Sequence, residues 1–221
     1  MRAMGKYYSK TFEGLSLEKQ RVVLDAAAEE FARLGFAGAN VNRVADRAGV
    51  AVGSIYKYFG SKENCFLAVL EDGLSELETF LEQLEASGLA PFEKIESVLR
   101  LIPEHSRRRS SIVRLYNELA GEGGSEHILD FCRRFEGASA QAYATIISQA
   151  KTAGLVDKAS DENVFAFCLD NLFTMLQFSC ACDYYKVRRE AYLPAGKSVD
   201  DELVLAQMMR FIRGGLTSAH G

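Results

Sequence analysis

The chain has 221 residues, 48% of them hydrophobic and 25% charged, which excludes a disordered or low-complexity protein and leaves ample apolar material for a packed core. Its net charge of −4 hides a division: residues 1–62 carry ten Lys and Arg against six Asp and Glu, whereas residues 63–221 carry sixteen against twenty-four. No run of eighteen apolar residues occurs and the start, MRAMGKYYSKTFEGLSLEKQ, lacks an apolar signal core, so a cytoplasmic protein without a membrane partner is expected.

Helical periodicity dominates and period-two alternation is scarce, which predicts an all-α fold. The first helix is predicted over residues 17–34, with Ser16 as N-cap, Glu18 in the first turn and Leu24, Ala27, Ala28, Phe31 and Leu34 on one apolar face; Gly35 stops it. Asn40 then caps a short helix over 41–48 that turns Val41, Val44 and Ala45 inward. Gly49 breaks it, and a second short helix follows over 52–58. Two short helices joined by a glycine turn and packed on a longer one make a helix-turn-helix pattern. Ser61 caps a long helix ended by Ser87, Gly88 and Pro91, and further helices are predicted over 92–102, 106–120, 126–153, 161–189 and 200–216, with GEGGS and LPAGKS as the clearest loops.

The five cysteines, Cys65, Cys132, Cys168, Cys180 and Cys182, are odd in number and form no CxxC pair, so they read as reduced thiols. Cys180 and Cys182 would point about 200° apart on a helix, which is poor geometry for a shared metal. His105, His127 and His220 have no visible ligand partners. No metal and no cofactor is expected. Nucleophile elbows, phosphate-cradling loops and HExxH motifs are all missing from the sequence, so an enzyme is not expected either.

The stretch GVAVGSIYKYFGSKE, residues 49–63, concentrates aromatics and cations on one short turn. Ile55 and Phe59, four apart, can anchor the helix to the core, which leaves Ala51, Val52, Gly53, Ser54, Tyr56, Lys57 and Tyr58 outside or at its edges. Phenol hydroxyls and ammonium groups suit phosphate oxygens, and small residues admit a close approach to a DNA groove. Lys62 adds a cation at the start of the next helix, where free N–H groups already favour an anion. The competing reading of the segment is a helical corner packed on another subunit.

Residues 35–70, GFAGANVNRVADRAGVAVGSIYKYFGSKENCFLAVL, resemble the DNA-binding region of the TetR/AcrR family of bacterial transcriptional regulators, a likeness that extends back through the first helix. The resemblance implies an N-terminal three-helix DNA-binding domain over 1–62, with an arm over about 1–15, joined by a long helix to a helical effector-binding and dimerisation domain over 63–221. It implies that Asn40 and Val41 meet phosphate, that Ala51, Val52 and Gly53 meet base edges, and that Tyr56, Lys57, Tyr58 and Lys62 clamp the backbone, with Arg43 and Arg47 adding to the grip. The chain departs from the family where Asn40 and Ala51 stand at positions that commonly carry Thr or Ser. Each change removes a hydroxyl, although Asn can still cap.

In the remaining two thirds, residues 161–190 are apolar on nearly all sides, and Leu205, Met208, Met209 and Ile212 form a helical stripe. With Leu172, Met175 and Leu176 these are the expected two-fold interface, the alternative being an intramolecular core. Phe92, Tyr116, Phe131, Phe135, Tyr143 and Phe173 are candidates to line an effector cavity, with Arg114, Asn117, Glu118 or Gln177 as polar anchors, while Arg107, Arg108 and Arg109 read as a solvated helix start. The expected partners are thus a palindromic double-stranded operator, a small, partly hydrophobic effector and a second copy of the chain, on a nucleoid-associated repressor. A helical protein-binding adaptor and a redox-responsive regulator without an effector stay open as alternatives.

Overall fold

The computed structural model describes residues 7–119, 126–192 and 200–217. The expected loops GEGGS and LPAGKS, His220 and residues 1–6 of the expected arm lie outside the described residues. Among the described residues every regular element is helical: α1 (Lys10–Glu13), α2 (Leu17–Gly38), α3 (Val41–Ala48), α4 (Val52–Phe59), α5 (Lys62–Ala86), α6 (Pro91–Arg108), α7 (Ser110–Leu119), α8 (Glu126–Thr152), α9 (Glu162–Ala181), α10 (Asp183–Tyr192) and α11 (Asp201–Leu216). The chain divides into two compact units, residues 1–78 with 111–133 and residues 79–110 with 134–221. Residues 63–78 and 111–133 therefore pack with the helix-turn-helix rather than with the rest of the expected second domain.

In the first unit, the Ser16 hydroxyl accepts from Lys19 N at 3.3 Å and starts α2, whose Leu24, Ala27, Ala28 and Phe31 are buried as their spacing predicts. Leu34, the last residue of the expected apolar face, is exposed. Gly35 breaks the helical path with φ 65° and ψ 174°, a conformation that suits glycine. Phe66 meets Phe31 and Phe36 with ring centres 5.0 and 5.2 Å apart, which seats α5 on α2. Arg21 reinforces this seat through Asp72 at 2.7 Å and Glu76 at 3.1 Å.

The second unit shows where helical periodicity misplaces boundaries. Residues 91–108 form one helix straight through Pro103, because Ile95, Val98, Leu99 and Ile102 bury a continuous face that outweighs one missing N–H. The predicted helix over 161–189 is instead two. Cys182 adopts an extended conformation, φ −105° and ψ 130°, with its N–H on Phe178 O at 2.8 Å, and α10 begins after it. α9 packs on α6 and α10; it is long and apolar enough by length and composition to cross a membrane, yet it serves as a core helix of this unit.

Two polar clasps close the unit. Lys94, only 3% exposed, donates to Glu85 at 2.8 Å and Gln149 at 3.1 Å, and Gln149 donates to Glu85 at 2.9 Å, so the buried ammonium has both a counter-ion and a neutral acceptor. Asp201, at the start of α11, pairs with Arg107 and with Arg189 at 2.9 Å. Burial pushes the Asp201 carboxyl up, but its hydrogen bonds from the two guanidiniums and their charges hold it below the usual range. Arg107 is therefore a structural cation and not merely a solvated one.

Candidate nucleic-acid interface

The motif is assembled by caps that the local sequence provides. The Asn40 side chain accepts from Asn42 N at 2.9 Å and starts α3. Gly49 ends α3 in the left-handed conformation, φ 65° and ψ 33°, donating to Ala45 and Asp46 carbonyls. Only three residues separate α3 from α4, and Ile55 and Phe59 are the two that α4 buries. Ser61 accepts from Asn64 N at 3.0 Å, and the Asn64 amide donates to Phe59 O at 2.9 Å, so the chain leaves α4 and enters α5 without an unpaired turn.

Two groups that sequence reasoning passed over hold this assembly in place. Glu30 is 0% exposed, accepts from Arg33 Nη2 at 3.2 Å and from the Asn40 backbone N–H at 3.3 Å, and lies 3.8 Å from Arg47 Nη2. It thereby ties the end of α2 to both ends of α3. Burial pushes its carboxyl up, yet the hydrogen bonds from Arg33 and Asn40 and the charges of Arg33 and Arg43 bring it below the ordinary value. The signal was an acid falling on the buried face of α2, beside Ala27 and Phe31. Ser9, just before α1, donates its hydroxyl to Lys57 O at 2.8 Å and its N–H to Tyr58 O at 2.7 Å, while Phe12 packs on Phe59 at 4.9 Å. The C-terminal carbonyls of α4 are satisfied in this way.

The expected DNA contacts divide by orientation. Asn40, Arg43, Ala51, Gly53, Tyr56 and Lys57 are exposed, Tyr56 by 51%, while Val52, Ser54 and Tyr58 lie at the edge. The Tyr58 ring rests 5.6 Å from Phe12. Val41 is only 6% exposed: its side chain is core, and it can offer outward only the N–H of a helix start. Lys62 turns back to the protein, donating to Ala37 O at 3.0 Å and Ala39 O at 2.9 Å with its ammonium 5.0 Å from the Phe36 ring centre. Arg47 likewise faces Glu29, at 3.0 Å, and Glu30. Among the described residues, Arg43 and Lys57 have no ion-pair partner.

Residues 23–69, which contain all of α3 and α4, match the profile of "Bacterial regulatory proteins, tetR family". This segment is that of the TetR family. The chain is 25% identical over 200 residues to the transcriptional repressor KstR2 of Mycolicibacterium smegmatis, covering 90% of this chain and 91% of that one. Its fold is similar to a TetR family transcriptional regulator from Chloroflexus aurantiacus, with a TM-score of 0.67, 21% identity and coverage of 96% and 99% of the two chains. It is also similar to the transcriptional regulator FadR from Bacillus subtilis, solved in complex with stearoyl-CoA, with a TM-score of 0.66, 17% identity and coverage of 89% and 98%. The protein is thus similar to TetR-family transcriptional regulators: it is all-α among the described residues and carries a TetR-type helix-turn-helix DNA-binding motif.

The candidate effector residues do not fall in one compact unit. Arg114, Tyr116, Asn117, Glu118 and Phe131 belong to the first; Phe92, Phe135, Tyr143, Phe173 and Gln177 belong to the second. Phe92 is buried under the Arg213 guanidinium, 4.7 Å from its ring centre, and Tyr143 meets Phe173 edge-on at 5.3 Å. Of the expected interface residues, Leu176, Leu205, Met209 and Ile212 are buried within the chain, Leu172 and Met208 are half-buried and Met175 is exposed. The outward apolar residues on α9 and α11 are instead Val164, Phe167, Met175, Leu203 and Phe211, with Phe167 69% and Phe211 70% exposed. A hydrophobic stripe on an amphipathic helix points first to its own core, which is why spacing selected the inward set.

Proposed function

We propose that this regulator is a homodimeric repressor that binds a palindromic operator through α3 and α4 and leaves it when a small, partly hydrophobic effector binds. One observation carries the DNA reading: α3 and α4 hold Arg43, Tyr56 and Lys57 outward on a motif whose caps are satisfied internally, and neither cation has an ion-pair partner among the described residues. Such groups are free to neutralise phosphate, and Ala51 and Gly53 beside them allow the backbone close to base edges. The exposed apolar residues of α9 and α11 support the dimer, since large apolar side chains left in water at helical spacing mark a partner surface. Two-fold symmetry then sets half-sites one DNA turn apart, about 34–36 Å. α5, which contributes residues to both compact units, is the natural lever by which an effector favours a state with different spacing. The repressor name of KstR2 and the lipid-bearing ligand of FadR support repression and an effector with a hydrophobic body.

Fluorescence anisotropy on DNA from immediately upstream of the protein's own coding region tests the reading. Saturable binding, competed only by specific DNA and weakened steeply between about 50 and 200 mM salt, is expected. Absence of any preferred sequence after selection from random DNA overturns it.

A further inference from the structure

The brace at the end of α4 carries a cation of its own. Tyr7 and Phe12 are buried, 7% and 1% exposed, and Ser9 between them donates its hydroxyl to Lys57 O at 2.8 Å and its N–H to Tyr58 O at 2.7 Å. Phe12 packs on Phe59 at 4.9 Å. Lys10 follows Ser9 directly, so its backbone is fixed one residue from a group that binds the last carbonyls of α4. Within the single turn of α1, Lys10 stands about 200° from Phe12; with Phe12 inward, the lysine side chain leaves the core and is exposed.

Most surface lysines are merely solvated, and two observations set this one apart. The first is place: the carbonyl that Ser9 holds belongs to Lys57, whose own ammonium is exposed on the motif. The second is charge. Residues 1–10 contain Arg2, Lys6 and Lys10 and no acid, and Glu13, the next acid along, is exposed and forms no ion pair with Lys10. No hydrogen bond or ion pair engages the Lys10 ammonium among the described residues, in contrast to Lys62 with its two carbonyls. Duplex DNA presents one phosphate charge per about 1.7 Å of axis, so a second cation beside Lys57 meets a neighbouring phosphate instead of competing for the same one.

The geometry points to Lys10 as a further phosphate ligand at this end of α4, its ammonium binding a phosphodiester oxygen of double-stranded DNA next to the one met by Lys57. The start of the chain is then both a brace for α4 and part of the surface that grips the backbone. Such a contact adds affinity and salt dependence without reading sequence. It deepens the DNA-binding reading and rests on it.

Fluorescence anisotropy with the full chain on an operator selected from random DNA, titrated from about 50 to 200 mM salt, tests the contact. Lys10→Gln should weaken binding about threefold to tenfold and reduce the slope of log affinity against log salt by about 0.9 per protomer, the loss of one phosphate contact. Lys10→Arg keeps the charge and should keep the slope. Lys158→Gln removes an exposed lysine of the second unit, makes the same change of net charge and should leave the slope as it is. Lys10→Gln combined with Lys57→Ala should lose about twice the slope of either alone, because the two ammoniums meet different phosphates. Thermal melts verify that each variant folds. The contact is overturned by a wild-type slope in Lys10→Gln, by an equal loss of slope in Lys10→Arg or Lys158→Gln, or by a double variant no different from Lys57→Ala. Each of these outcomes leaves the regulator reading standing. A wild-type protein that selects no sequence sinks that reading and the contact with it.

Discussion

Glu30 and Asp170 are both carboxylates drawn out of water on mainly apolar helices, and they meet opposite fates. Glu30, on α2, is fully buried yet receives the Arg33 guanidinium, the Asn40 N–H and the nearby Arg47, and its carboxyl lies below the ordinary value. Asp170, on α9, is half-buried with no such partner and its carboxyl rises to about 6. A satisfied buried charge fixes geometry; a half-buried one without a counter-ion is a cost to the fold. The same contrast recurs between neighbouring lysines. Lys62 is spent on two carbonyls, whereas Lys57 is left open.

Removing the satisfied charge should do the most damage. Glu30→Ala leaves the Arg33 guanidinium and the Asn40 N–H without their acceptor and should destabilise the protein by about 2–3 kcal/mol, below the loss expected for a fully buried pair because Arg33 is partly solvated and Arg47 keeps Glu29. Urea unfolding midpoints measure it, and a midpoint within error of wild type would mean that Glu30 does not hold α3. Glu30→Gln, which retains an acceptor, should recover part of the loss.

Removing the unsatisfied charge should do the reverse. The folded-state value of Asp170, about 6, lies above its ordinary 3.8, so folding takes up a proton between those values and the carboxylate opposes folding once both states are ionised. Asp170→Asn should therefore stabilise the protein by about 1–2 kcal/mol above pH 6.5, after allowance for the part of the group that meets solvent, and by nothing near pH 3.5. Thermal melts of both proteins across that range decide it; a variant less stable than wild type at pH 7 would show that Asp170 has a partner after all.

The two lysines bring the contrast to DNA. Lys57→Ala should weaken operator binding by about tenfold and lower the salt slope by about one per protomer, with stability unchanged. Lys62→Ala should instead lower stability, because the Ala37 and Ala39 carbonyls lose their donor, and should leave the salt slope nearly intact. Equal salt slopes for the two variants would erase the distinction between an open and an engaged cation.

What could be read from sequence follows from the range of the interactions involved. Asn40, Gly49, Ser61 and the buried pair Ile55 and Phe59 act within one or two turns, and their spacing alone gives the bounds of α3 and the start of α4. The run through Pro103 and the break at Cys182 depend on packing across helices far apart in sequence, which local periodicity does not contain. Among site residues, the outward set Tyr56 and Lys57 was legible because Ile55 and Phe59 define the opposite face of α4, and Arg43 because Val41, Val44 and Ala45 define that of α3. The inward turn of Lys62 was not, since its acceptors lie 23 and 25 residues earlier, and neither was the burial of Leu205, Met209 and Ile212 rather than their exposure to a partner.

The smallest effect is expected at Ser9, and it distinguishes a cap from a contact. Its hydroxyl and its N–H satisfy successive carbonyls, those of Lys57 and Tyr58, at the end of the helix that carries the outward phenol and ammonium. Ser9→Ala removes only the first bond; Lys57 O can turn to water and Phe12 still packs on Phe59, so the loss of stability should be only about 0.5–1 kcal/mol. Because Ser9 orders the end of α4 without touching phosphate in this reading, operator affinity should fall by no more than about threefold, with the salt slope unchanged. A change of slope at Ser9→Ala would make the hydroxyl a phosphate ligand, and Ser9 a part of the DNA-facing surface rather than its brace.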